Sequence, residues 1–173
     1  MDKTKLVSEI NWSQDRETIL SQMVNVCNEI FQNTDFKPER NSTLGEKDVD
    51  VFFRGDPSRI CHIWPKMRDR LFDVWLRPDF YSKVVSKLSQ LGIQLGTNKT
   101  DWASGRVSLE ETIDILMALA GKEFIVDDIN TPIPPDRLEK TDNGMNVWCP
   151  KCKNIFSLSE RCPECGQLIK YVG

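Results

Sequence analysis

Histidine is almost missing from this chain. His62 is the only one in 173 residues, which excludes any mechanism that needs two imidazoles and leaves a Ser-His-Asp site without support. Long apolar runs are missing too. No stretch approaches the roughly 20 residues needed to cross a bilayer, and the opening MDKTKLVSEINWSQD has no apolar block of the signal-peptide kind. A cytoplasmic chain with no membrane partner is the expectation. There is no internal repeat, and no strong excess of one charge sign, the formal net charge being −3. Hydrophobic content of 39%, with five Trp and eight Phe, is nevertheless enough to build a core, so disorder of the whole chain is excluded.

The small net charge conceals an uneven distribution. Residues 1–50 carry 6 Lys and Arg against 10 Asp and Glu, residues 51–106 carry 10 against 5, and residues 107–148 return to 3 against 9. The middle of the chain is therefore locally basic. Within it Arg54, Arg59, Lys66, Arg68, Arg70, Arg77 and Arg106 are interleaved with Trp64, Trp75 and Trp102. A basic sheet face with aromatics can track phosphates and stack bases, so Arg54, Arg59, Lys66, Arg68, Arg70, Arg77 and Trp75 are the candidate nucleic-acid-binding residues. The competing reading has the arginines solvating an outer sheet face while the tryptophans fill the core or its rim.

Periodicity supplies the elements. Apolar residues at Ile19, Met23, Val26, Cys27 and Ile30 predict a helix from Ser13, as N-cap, to about Phe31. Residues 33–48 read as a loop. Three strand-like runs follow, VDVFFRG, RICHIWPK and RLFDVWLRP, broken by Gly55-Asp56-Pro57-Ser58 and by Met67-Arg68-Asp69-Arg70. A helix after Asp79, with Tyr81, Val84, Val85, Leu88 and Leu91 inward, is expected to end at Gly92. A strand is expected over Trp102–Val107. The S-x-x-E of Ser108–Glu111 then has capping-box form and opens a helix that runs to Gly121, with Ile113, Leu116, Met117 and Ala120 inward. Consecutive strands predict an α+β fold, an antiparallel sheet with helices on one face. Residues 1–124 are expected to form this domain, 125–147 a linker and 148–173 a separate small module.

Of six cysteines, four lie in that module, as Cys149-Pro150-Lys151-Cys152, nine intervening residues, and Cys162-Pro163-Glu164-Cys165-Gly166. Two residues between cysteines let a tight turn aim both sulfurs at one ion, and four thiolates suit tetrahedral Zn²⁺. Gly166 supplies left-handed backbone where a residue beyond the second thiolate often needs it. The nine-residue spacer has room for a short hairpin, with Ile155, Phe156 and Leu158 as its apolar face. One structural Zn²⁺ is the expected cofactor, with mononuclear iron, a disulfide pair or an iron-sulfur cluster as the alternatives. A closed set of four cysteines leaves no open coordination position for catalysis. Lys151, Lys153, Arg161 and Lys170 are matched by the −2 that four thiolates and one Zn²⁺ contribute together. Cys27 and Cys61 are left as buried thiols.

The twin C-P-x-C pattern resembles the four-cysteine zinc-ribbon, rubredoxin-like family. The stretch Val49–Phe124 resembles the MmcQ/YjbR-like family in its three-strand run ending Asp73-Val74-Trp75-Leu76-Arg77-Pro78, the following helix, Asp101-Trp102 before a strand, and the helix from Leu109. Gly55-Asp56-Pro57-Ser58 stands where that family has a glycine-lysine turn. This second resemblance implies a frataxin-like α+β arrangement and a double-wing surface for nucleic acid or protein.

Other constellations are thinner. Cys61 and His62 are adjacent in a strand, so their side chains point to opposite faces and do not form a Cys-His pair. Asp48, Asp50 and Asp73 form a carboxylate set of the kind that holds Mg²⁺ in nucleases, without the carboxylate-x-lysine that would strengthen it. The functional expectation is a non-catalytic zinc-binding protein that binds DNA or RNA. A protein-interaction adaptor is the alternative, and a metal-dependent nuclease the third reading.

Overall fold

A computed structural model describes residues 1–41, 47–123, 146–149, 152, 154–157 and 161–168. The chain divides into two units, residues 1–125 and 126–173.

The first unit opens with a short helix, α1 (Lys3–Ser8), capped by the Asp2 carboxylate and burying Leu6. Helix α2 (Arg16–Phe31) buries Ile19, Leu20, Met23, Val26, Cys27, Ile30 and Phe31 along one side. Its N-cap is Asp15, whose carboxylate accepts from the Thr18 N–H at 2.8 Å, and not Ser13 as expected. Ser13 is already engaged, since its N–H and hydroxyl both donate to Asn11 Oδ1, and this Asx turn defers the helix start.

Strand β1 (Phe36–Arg40) lies inside the segment expected to be a loop. Its sequence FKPER has neither alternation nor β-branched residues. It forms as an edge strand, where Pro38 can leave a ladder position undonated. Strands β2 (Val49–Phe53), β3 (Arg59–Lys66) and β4 (Leu71–Leu76) then form the expected antiparallel run. After helix α3 (Pro78–Gln90) come β5 (Gly96–Thr97), β6 (Ala103–Val107) and helix α4 (Leu109–Ala120). The six-stranded sheet has order β1-β2-β3-β4-β6-β5 with every pairing antiparallel, an α+β architecture.

The register sorts side chains between two faces. Val49, Val51, Cys61, Ile63, Phe72, Val74, Leu76, Ala103 and Val107 are buried on the face that receives α2 and α4. The alternate row across the sheet is Glu39, Asp50, His62, Trp75 and Ser104, each the cross-strand partner of the next. A β-bulge interrupts β2–β3, so that Val51 faces Cys61 but Phe52 faces Arg59. Ile60 is the extra residue, and Arg59 is carried to the same face as Asp50 and His62.

Helix α3 differs from expectation at both ends. Phe80 is the buried residue of its first turn, within 6.0 Å of the Phe36 ring and 5.5 Å of Phe53, while Tyr81 is partly buried and packs against the same core. Leu91 is exposed because Gly92, at φ +75°, reverses the chain and Ile93 takes the inner place, its N–H donating to Leu88 O at 2.9 Å. Helix α4 has both halves of its capping box. The Glu111 N–H donates to Ser108 Oγ at 3.1 Å, the Ser108 N–H donates to Glu111 Oε2 at 2.8 Å, and Gly121 ends the helix at φ +64°. Among the described residues no helix is long and apolar enough to cross a membrane. Cys27 and Cys61 are both fully buried, and burial pushes the Cys27 thiol up to about 12.

Arg77, where β4 hands over to α3, ties three segments together. Its Nη2 donates to Asp56 at 2.6 Å, its Nε to Asp79 at 2.8 Å, and its backbone N–H to Ile60 O at 2.9 Å. These bonds hold the Asp56 and Asp79 carboxyls below the usual range. A depressed carboxyl pKa stabilises the fold above the unfolded value near 4, and that contribution is lost as pH falls through the folded value. Two outcomes follow for equilibrium urea unfolding. The stability difference between the wild type and Arg77→Ala shrinks as pH is lowered below about 4. At neutral pH, Ser108→Ala costs about 1 kcal/mol, and most of that cost remains when Glu111 is already Ala, because the bond that Ser108 Oγ accepts comes from the backbone N–H of residue 111.

Candidate metal centre

The described residues of the second unit include two turns of the same design. Strands β7 (Asn146–Trp148) and β8 (Ile155–Ser157) pair antiparallel, Val147 opposite Phe156, so the first cysteine pair sits at the tip of their hairpin. The hairpin therefore encloses the first cysteine pair and does not lie wholly between the two pairs as the spacing suggested. An Arg161–Leu168 bridge encloses the second pair in the same way. The Cys149 N–H donates to Asn154 O at 2.8 Å and the Cys162 N–H to Gln167 O at 2.9 Å. Each bond joins a first cysteine to the carbonyl five residues on. Gly166 has φ +74°, the left-handed backbone expected of it.

Val147 and Phe156 are buried with Cys149 and Cys162 in the small apolar cluster of this unit. Ile155 was expected on that face but is exposed, because strand alternation places it beside Trp148 on the other. Leu158, Lys151, Lys153 and Lys170, and residues 125–145 of the segment 125–147 expected as linker, lie outside the described residues, while Asn146 and Val147 of that segment belong to β7.

The turns bring all four sulfurs within 4.8 Å of one another. Cys149 and Cys165 Sγ are 3.5 Å apart, and Cys152 and Cys162 Sγ 3.7 Å. A tetrahedron with metal–sulfur bonds of about 2.3 Å has edges of about 3.8 Å, whereas a disulfide would need about 2.05 Å. The residues therefore fit a single metal ion bound by four thiolates. Protonated, Cys152 and Cys165 resist ionisation. The Asn154 N–H favours the Cys152 thiolate, but desolvation and hydrogen bonding with Cys149, Cys162 and Cys165 outweigh it and push the thiol up to about 12. Four negative sulfurs this close require a cation among them.

The candidate nucleic-acid residues are spread over the first unit, and most are occupied. Arg59 Nη1 lies 3.3 Å from Asp50 and 3.7 Å from Asp48. Lys66 lies 2.9 Å from Asp73, which also accepts from Arg106 Nε at 2.9 Å. Arg77 is held by Asp56 and Asp79. Arg54 is exposed, 3.7 Å from Asp35. Trp75 is half-buried, with its ring 4.9 Å from that of His62. Arg68 and Arg70, in the β3–β4 turn, are exposed and form no ion pair among the described residues. Arg70 stands at φ +54°.

The carboxylate set is not assembled as a trio. Asp73 is committed to Lys66 and Arg106, while Asp48 and Asp50 meet His62. That last grouping depends on the β2–β3 register, which no local sequence signal displays.

No protein-family model matches the chain, and no curated protein or solved structure does. The four-cysteine resemblance rests on its residues and on the sulfur geometry. The MmcQ/YjbR-like resemblance of Val49–Phe124 gains no support, and no function is drawn from it.

Because metal displaces thiol protons, Co²⁺ added to the metal-free chain is expected to give thiolate-to-metal charge-transfer absorption that saturates at one equivalent and weakens as pH falls. In Cys162→Ser the four-thiolate spectrum is absent. An unchanged spectrum in that variant would remove Cys162 from the site.

Proposed function

We propose that the chain is a non-catalytic zinc-binding protein in which a structural zinc ribbon, residues 148–173, follows an α+β domain, residues 1–124, through a linker, and that it binds nucleic acid. The carrying observation is the set of four sulfurs at tetrahedral separations. Four cysteine ligands saturate the ion, so zinc supplies folding energy on the order of 10 kcal/mol and no open position for substrate. Four cysteines gathered as a metal set, with Cys27 and Cys61 as buried thiols, accord with a reducing, cytoplasmic setting.

For nucleic acid, the support narrows from seven residues to the β3–β4 turn. Arg68 and Arg70 are exposed there, and Trp64 is 38% exposed with the Lys66 ammonium 4.5 Å from its ring centre. Guanidinium groups can neutralise phosphates, and an exposed aromatic ring can stack a base. A protein-interaction adaptor is the second reading. It is favoured by Trp148 and Ile155, exposed cross-strand neighbours on the ribbon hairpin.

Elemental analysis of the purified chain is expected to find zinc in preference to iron, and iron would move the module to the redox class. In a mobility-shift assay, affinity for single- or double-stranded DNA or RNA is expected to fall steeply with salt. The slope of log K against log salt should shrink by about 2 in the Arg68→Ala, Arg70→Ala double variant. No shift at low salt ends the nucleic-acid reading. Salt-insensitive binding to a protein, lost on Trp148→Ala, would establish the adaptor.

A further inference from the structure

The first unit contains a second group of metal-ligating side chains, on the sheet face away from α2 and α4. Asp50 on β2 is the cross-strand partner of His62 on β3, and Asp48 precedes Asp50 by two residues, on the same side. Asp48, Asp50 and His62 are each at least nine-tenths buried, and their ligand atoms lie within 4.8 Å of one another. Trp75 and Trp102 enclose the imidazole, with ring centres 4.9 and 6.1 Å away.

Two carboxylates in such a place are costly unless their oxygens are satisfied. Asp48 Oδ2 is 3.0 Å from His62 Nδ1. Asp48 Oδ1 is buried and has no hydrogen-bond partner. Among the described residues the Arg59 guanidinium lies 3.3 Å from Asp50 and 3.7 Å from Asp48, and its side chain is 39% exposed. It offsets charge without hydrogen-bonding to the orphan oxygen.

We propose that Asp48, Asp50 and His62 form a second metal site, which takes a divalent cation through two carboxylate oxygens and one imidazole nitrogen. The 3.0 Å between Asp48 Oδ2 and His62 Nδ1 matches the edge of about 3.0 Å between neighbouring ligands of an octahedral ion with bonds of about 2.1 Å. Asp48 Oδ1 gains a partner when its carboxylate turns to the ion. The donor set defines the class. Oxygen with one imidazole suits Mn²⁺, Fe²⁺ or Zn²⁺ and is unlike the all-sulfur site of the ribbon, so the two sites sort metals by softness. Three protein ligands leave coordination positions for water or an anionic oxygen.

Mn²⁺ is the probe, because thiolates compete for it poorly. The full chain, with its ribbon loaded by one equivalent of Zn²⁺, is titrated with Mn²⁺ while free ion is read by electron paramagnetic resonance. Saturation at one Mn²⁺ per chain is expected, with affinity at least about tenfold weaker in Asp48→Asn and in His62→Gln. Arg59→Gln should bind more tightly, since a competing cation is gone; a merely structural ion network predicts no gain. A readout independent of variant folding uses the lone histidine. In wild-type chain, substoichiometric Mn²⁺ should broaden the His62 imidazole NMR signals together with the Trp75 and Trp102 indoles before others of the first unit. Absence of saturable binding, or His62 signals that stay sharp at one equivalent, would overturn the site.

Discussion

Everything distinctive about the first unit depends on helices covering only one face of its sheet. Strand alternation sends Val49, Val51, Ile63, Val74 and Leu76 toward α2 and α4, where burial of each large aliphatic group is worth about 1.5–3 kcal/mol. The same alternation leaves the row Glu39, Asp50, His62, Trp75 and Ser104 for the opposite side. A sheet sandwiched on both faces would have had apolar residues there. The face without α2 and α4 is where the chain can place charge, and it does so in pairs: Lys66 and Arg106 with Asp73, Arg59 with the two aspartates beside His62.

Pairing also limits what the basic middle of the chain can do. Ten Lys and Arg between residues 51 and 106 suggest a field for phosphate. Once the strands are registered, Arg59, Lys66, Arg77 and Arg106 each have a carboxylate within hydrogen-bonding or ion-pair distance. Arg77 serves as a structural tie between the β2–β3 turn, β3 and the start of α3. Sequence charge and surface charge are different quantities, and the difference is set by which acidic residues the topology delivers.

What could be read without coordinates was what is local. The capping box of α4, the left-handed Gly92, Gly121 and Gly166, the three-strand run and the four cysteines depend on neighbours within a few residues, and their chemistry is written at that range. What could not be read either lacks a local signal or depends on distant pairing. Strand β1 has a proline and charged side chains because an edge tolerates them, so it resembles a loop. Strand β5 has two residues, too few for any period. The Ser13 cap failed because an Asx turn at Asn11 holds Ser13 ahead of the helix, which starts from Asp15 instead. His62 and Asp50 are distant in sequence and neighbours only through the register of a hairpin that contains a bulge.

That bulge acts as a parity device. In an uninterrupted ladder Arg59 would share the side of Cys61 and point into the apolar layer, since residues two apart in a strand face the same way. One extra residue, Ile60, reverses the alternation there. It lets Ile60 and Cys61 both be buried while a guanidinium emerges beside Asp48 and Asp50. The length of β3 is thus constrained by odd and even count as well as by size. Shortening it by one residue would leave its composition nearly unchanged, yet would exchange the inside and outside of its first turn of chain.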